Sequence, residues 1–199
     1  MRMKGNNSHV TFISAYAPTM AYLDQAKEEF YEELDHAIQS VTHSDKLFLL
    51  RDFNARVGSD HTTSYKVHGR HGIGKENSNG TLLLTLCAGK QLVITNGLFT
   101  QMDSSKSTWR HPRFDHWHQI DFFIIRQRDW YDVKLTRAVK ASICHPDHAL
   151  LKSQVIISLQ LKRQHQRLQR TKKLDVAKLA KSETQGTLRD NIASALRTM

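Results

Sequence analysis

The sequence predicts a layered α/β or α+β sandwich, and three stretches carry that prediction. Residues 47–50 are consecutive apolar side chains, Leu47-Phe48-Leu49-Leu50, as in a strand buried on both faces. Residues 25–41 place Phe30, Leu34, Ile38 and Val41 on one helical face, with Lys27, Glu28, Glu32 and Asp35 opposite. Residues 10–15, Val-Thr-Phe-Ile-Ser-Ala, form a further β run ahead of that helix. Strand, helix and strand in succession stack a helix layer on a sheet.

Gly5-Asn6-Asn7 is a turn signal, so residues 2–4 read as the stub of a hairpin strand leading into residues 10–15. Pro18 cannot donate to a ladder, which ends that strand at Tyr16-Ala17. After Leu50 the chain turns polar at once, through Arg51-Asp52-Phe53-Asn54 to Gly58. Residues 59–80 are polar, and Gly69, Gly72, Gly74 and Gly80 exclude regular structure over most of that stretch. Asn79 is a candidate cap for a helix running to about Gly89, burying Leu82, Leu83, Leu86 and Cys87. Short strands are expected at 92–95, from Thr108-Trp109 onward, at 119–125, at 133–139 and at 150–159. Beyond residue 160 the pattern changes. Residues 161–173 read as a basic arm, and residues 174–199 as a peripheral helical or disordered tail behind a globular domain of residues 1–160.

The chain has 199 residues and a net charge of +10, unevenly spread. Residues 1–160 hold 19 Lys or Arg against 16 Asp or Glu, whereas residues 161–199 hold 10 against 3. The arm's cations, Lys162, Arg163, Arg167, Arg170, Lys172 and Lys173, come without an acid and suit a polyanion, nucleic acid before membrane. Cys87 and Cys144 are too few for a disulfide framework, and no disulfide-linked partner is expected. No apolar run approaches a membrane span, and the N-terminus lacks a signal-type apolar stretch. An intracellular setting is expected, nuclear rather than cytoplasmic.

The chemistry-bearing residues sit beside the apolar runs. Asp52 and Asn54 follow one strand, Asp121 interrupts another, and Asp147-His148 precede the last. A carboxylate buried in a sheet needs a partner, and His148 is the candidate for Asp121. An Asp holding an imidazole sets its tautomer and favours the cation, which suits a His facing phosphate oxygens. Asp52 then orients or deprotonates a water, while Asn54 and Tyr16 offer hydrogen bonds to the phosphate. His111, His116 and His118 admit a zinc reading, but surface or stacking roles are the better default. Trp109, Trp117 and Trp130 read as core residues ahead of base-stacking ones.

The motifs Ser14-Ala15-Tyr16-Ala17-Pro18, Asp52-Phe53-Asn54-Ala55, Thr108-Trp109, Gln119-Ile120-Asp121-Phe122 and Asp147-His148 occur in that order. Together they resemble the endonuclease/exonuclease/phosphatase superfamily of Mg²⁺-dependent phosphodiesterases. Within it, the chain is similar to the endonuclease domains of non-LTR retrotransposons and to the craniofacial development protein 2-like group. The resemblance implies a two-layer α/β sandwich of the DNase I-like type and DNA as partner. It also implies Asp52 as the residue positioning the attacking water, Asn54 and Tyr16 at the scissile phosphate, and Asp121 orienting a charge-stabilising His148. Asp147 is implied to lie near the Mg²⁺. The family pattern has strands bearing an Asn and a metal-binding Glu ahead of the segment matching Val10. This sequence starts after them, so the expected domain lacks its first strands and is catalytically impaired. A non-catalytic nucleic-acid-binding remnant is the alternative. The pattern also carries Gly where Arg51 stands and Ser or Thr where Pro146 stands. From Arg51 an ion pair with Asp52 is expected.

Overall fold

The computed structural model describes residues 1–4, 9–62, 66–140 and 147–157, with seven further positions between 186 and 194. The chain divides into two units, Met1–Gln160 and Leu161–Met199. In the second, the described positions are helical and exposed. The basic residues Lys162, Arg163, Arg167, Arg170, Lys172 and Lys173 lie outside the described residues.

The first unit is built on a five-stranded sheet of order β1-β2-β3-β7-β4. These strands are β1 (Arg2–Lys4), β2 (His9–Ser14), β3 (Lys46–Asp52), β4 (Leu92–Ile94) and β7 (Asp121–Arg126). β2 and β3 run parallel, joined by α1 (Asp24–Gln39), and β7 lies antiparallel between β3 and β4. Side chains alternate across a pleated strand. Leu47, Leu49, Phe122 and Ile124 accordingly enter one core with Leu34 and Ile38 of α1 and with Leu83, Leu84 and Cys87 of α2 (Ser78–Gly89). Phe48 and Ile125 enter a second core on the opposite face with Val133, against which Val155 packs. Val133 and Val155 belong to a hairpin of β8 (Val133–Val139) and β9 (Leu150–Val155), and β5 (Trp109–Arg110) pairs with β6 (Trp117–His118). The apolar run at residues 47–50 is therefore central, with a packed core on each face, as its composition predicts.

Several local expectations are revised. On α1 the inward residues are Lys27, Tyr31, Leu34 and Ile38, so Lys27 does not lie on the outer face. It is buried with its ammonium 3.0 Å from Asp24. The cap of α2 is Asn77, whose side chain accepts from the Gly80 amide at 2.8 Å. Asn79 and Gly80 lie inside the first turn rather than ahead of it. Gly80 is there because a Cβ would come within 1.9 Å of the Arg56 carbonyl oxygen. The tryptophans are not core residues: Trp109 and Trp117 are half-buried and Trp130 is exposed. No helix among the described residues is long and apolar enough to cross a membrane.

Candidate active site

Strand directions place the reactive groups on one rim. The parallel strands β2 and β3 end there at Ser14 and Asp52, and the antiparallel β7 begins there at Asp121. Tyr16 follows β2 and stays in register with β3. The Ala15 amide donates to the Leu50 carbonyl and the Ala17 amide to the Asp52 carbonyl, both at 3.1 Å. Tyr16 and Arg51 are thus held side by side between two ladder bonds.

His148 reaches the rim through Thr108. The Thr108 hydroxyl oxygen accepts from the amides of Ile120 and Asp121, at 3.2 and 3.1 Å. Its carbonyl accepts from the Ala149 amide at 2.7 Å, and Trp109 bridges to His148. Asn96 clasps the same strand start, donating to the Asp121 carbonyl at 3.0 Å and accepting from the Phe123 amide at 3.1 Å. Both Thr108 and Asn96 are buried. Thr108 stands out in the sequence only through its place in a motif, and Asn96 through nothing, because both act on backbone groups far along the chain.

The outcome is a cluster of Asp52, Asp121 and His148, with one ligand-type atom from each lying within 4.8 Å of the others. His148 Nδ1 is 3.4 Å from Asp121 Oδ2, longer than the hydrogen bond expected from the sequence. Asp121 Oδ2 is buried and has no hydrogen-bond partner. Burial is the main reason that both carboxyls lie above the usual carboxylate range. For Asp52 the Asn54 amide, donating at 2.8 Å, opposes burial, while the nearby Asp121 reinforces it. For Asp121 the Thr108 side chain and then His148 oppose it.

Asn54 sits in the left-handed region, φ +47°, and its side-chain amide donates to the Ala17 carbonyl at 2.8 Å. One amide hydrogen is therefore committed to the fold and the other remains for a ligand. Asn79 supports this turn from beneath, donating to the carbonyls of Pro18 and Asn54 at 2.9 and 3.1 Å. Tyr16 is exposed at the rim. Arg51 lies over the Tyr16 ring, 5.8 Å from its centroid. The expected direct pairing with Asp52 is not what the side chain adopts, although its charge still lowers both Asp52 and Asp121.

Asp147 neighbours the site through its backbone, its carbonyl accepting from the Arg110 amide at 2.8 Å. Among the described residues the metal-type cluster comprises Asp52, Asp121 and His148, without Asp147. His111, His116 and His118 form no such cluster among the described residues. His118 stacks on Trp109 at 5.9 Å, and burial, then Arg56, His116 and His111, holds it below the usual histidine range. A cavity of about 630 Å³ next to it is lined by Arg56, Lys75, His116, Trp117, His118 and Lys140.

No family model matches the chain. Over 161 residues it is 34% identical to craniofacial development protein 2 of Bos taurus and 33% identical to that of Tragulus javanicus. Each match covers 81% of this chain but only 27% and 28% of the relatives, so the chain spans under a third of their length. Among solved structures, the endonuclease domain of TRAS1, a telomere-specific non-LTR retrotransposon, superposes with a TM-score of 0.54 at 13% identity. That superposition covers 81% of this chain and 63% of the other. The fold is the DNase I-like α/β type seen in that endonuclease domain, and over 81% of its length the chain is similar in sequence to craniofacial development protein 2.

Proposed function

We propose that residues 1–160 form a phosphodiesterase site of the endonuclease type, acting on nucleic acid. The observation that carries this reading is the convergence of Asp52, Asp121 and His148, from positions 52 to 148, onto one sheet rim. Burial that raises the Asp52 carboxyl brings it closer to the working range of a general base for water. Asp121 faces His148 Nδ1, which leaves Nε2 for a phosphate oxygen. Tyr16 and the second amide hydrogen of Asn54 supply further donors. The donor set also fits a hard divalent cation. Asp121 Oδ2 is a buried oxygen with no hydrogen bond beside a second carboxylate, and Mg²⁺ is held by one or two carboxylates and water. Asp52 and Asp121 would hold the ion, which supplies charge neutralisation for the phosphoryl group when bound. The order of the motifs along the chain also supports descent from a retrotransposon-type endonuclease.

A second reading, a non-catalytic nucleic-acid-binding domain, is favoured by Arg51. Its fixed charge acts on both carboxylates and opposes a metal cation there. A supercoiled-plasmid assay with Mg²⁺ or Mn²⁺ separates the two. Metal-dependent nicking that His148→Ala abolishes supports the phosphodiesterase. DNA retained in gel shifts without nicking supports the second reading. Neither binding nor nicking refutes both.

A further inference from the structure

Arg51 holds a backbone conformation that its side chain does not favour. Its φ is +118°, a region where glycine is at ease and a residue with a Cβ is strained. Strain of this kind persists only where the surrounding structure imposes it, and it gathers at ligand sites. Here the ladder bonds on either side, from Ala15 and Ala17, fix the strand through residues 50–52. The strained position is the one beside Asp52, and its side chain is exposed rather than packed. The guanidinium rests on the face of Tyr16, itself 59% exposed, so the cation is oriented but remains open to solvent.

The charge balance of the rim shows what that cation is for. Asp52 and Asp121 are both acids, and a phosphodiester brought to them is an anion. Two carboxylates repel it. Arg51 is always charged, and its planar fork matches the oxygens of a phosphate. No ion pair with an acid occupies it among the described residues.

We propose that Arg51 is a phosphate-binding residue of the candidate site, held by a strained backbone and the Tyr16 ring to receive a phosphodiester of a nucleic-acid strand. The proposal rests on the nucleic-acid reading above and adds the residue that offsets the site's acidic charge. It requires a trade between stability and binding at one position. Glycine there relieves the strain and removes the phosphate ligand, so the fold gains while affinity falls.

The test uses the full 199-residue chain in EDTA, with a fluorescein-labelled duplex oligonucleotide as the probe. Anisotropy titrations are run over a series of NaCl concentrations for the wild type, Arg51→Gly and Arg51→Lys. Arg51→Gly is expected to melt a few degrees higher and bind roughly tenfold more weakly. Its slope of log K against log salt should be shallower by about 0.9, one phosphate contact fewer. Arg51→Lys should keep the wild-type slope, because it keeps the charge, with affinity between the two. Arg51→Gly with wild-type affinity and slope overturns the proposal and leaves the nucleic-acid reading standing. A melting temperature of Arg51→Gly at or below wild type overturns the strained-ligand argument. A wild type that binds no duplex overturns the underlying reading and this proposal with it.

Discussion

Asp52 and Asp121 stand directly opposite one another across the β3–β7 ladder. Like charges at opposed positions of an antiparallel pair destabilise it. The fold nevertheless keeps the pair at the sheet rim, with Asp52 buried and Asp121 half-buried.

The first prediction follows from the sign of that arrangement. Burial lifts both carboxyls above the usual carboxylate range. Between the ordinary and the raised values the folded chain binds more protons than the unfolded one, so stability falls as pH rises through that window. In EDTA, Asp52→Asn and Asp121→Asn should each melt above wild type at neutral pH. The advantage should shrink on acidification toward the ordinary carboxylate range. A thermal-melt series with an advantage that is flat in pH contradicts it.

Thr108 provides the second. Its hydroxyl oxygen receives the Ile120 and Asp121 amides, and its carbonyl receives the segment carrying His148. Thr108→Val keeps the shape but leaves the buried Ile120 amide and the part-buried Asp121 amide without that acceptor, at a cost of about 1–3 kcal/mol for the buried one. Thr108→Ser should retain most of the stability. Equal urea midpoints for the two variants would show that the hydroxyl is not the link between Asp121 and His148.

The third concerns Asp45, a buried acid just ahead of β3 that ties in β1 and β2. It accepts from Arg2 at 2.9 Å and from the His9 amide at 3.4 Å. The Arg2 hydrogen bond is the main reason that its carboxyl lies below the usual range, against the effect of burial. A depressed folded value stabilises the fold above the ordinary carboxylate range and ceases to do so as pH falls through the depressed value. Asp45→Asn should therefore cost about 1–3 kcal/mol at neutral pH, with the deficit closing in acid. This is the opposite pH trend to Asp52→Asn, so the two variants serve as mutual controls in one melt series.

The fourth is steric. A Cβ at Gly80 meets the Arg56 carbonyl oxygen at 1.9 Å, and backbone on both sides cannot retreat without moving α2 or the turn after Asp52. Gly80→Ala should cost at least about 1–3 kcal/mol, the usual penalty of overpacking, despite alanine's better helix propensity. Gly89→Ala, with open space at its Cβ, is the comparison. Equal midpoints for the two would contradict the close packing of α2 on residue 56.

The layering and the candidate site residues were legible in the order of residues alone. Four apolar residues at 47–50 bounded by polar ones read as a strand with a core on both faces, and the period of residues 25–41 reads as a helix with one buried face. Acids placed at the ends of such runs must reach a sheet rim, because the strand's own length carries them there. Local pattern misled where packing outweighed it: Lys27 is buried, with its ammonium beside Asp24, and Gly80 lies inside a helix at a point where the neighbouring backbone leaves no room for a side chain. Which acids meet was settled only by folding. The pairing of Asp52 with Asp121 is a matter of ladder register, and the approach of His148 depends on Thr108 binding two distant stretches of backbone. Backbone amides and carbonyls are the same at every residue, so a clamp made on them leaves no mark in the pattern of side chains. The strain at Arg51 was hidden for the same reason, since a φ angle belongs to the folded ladder and not to the residue's name.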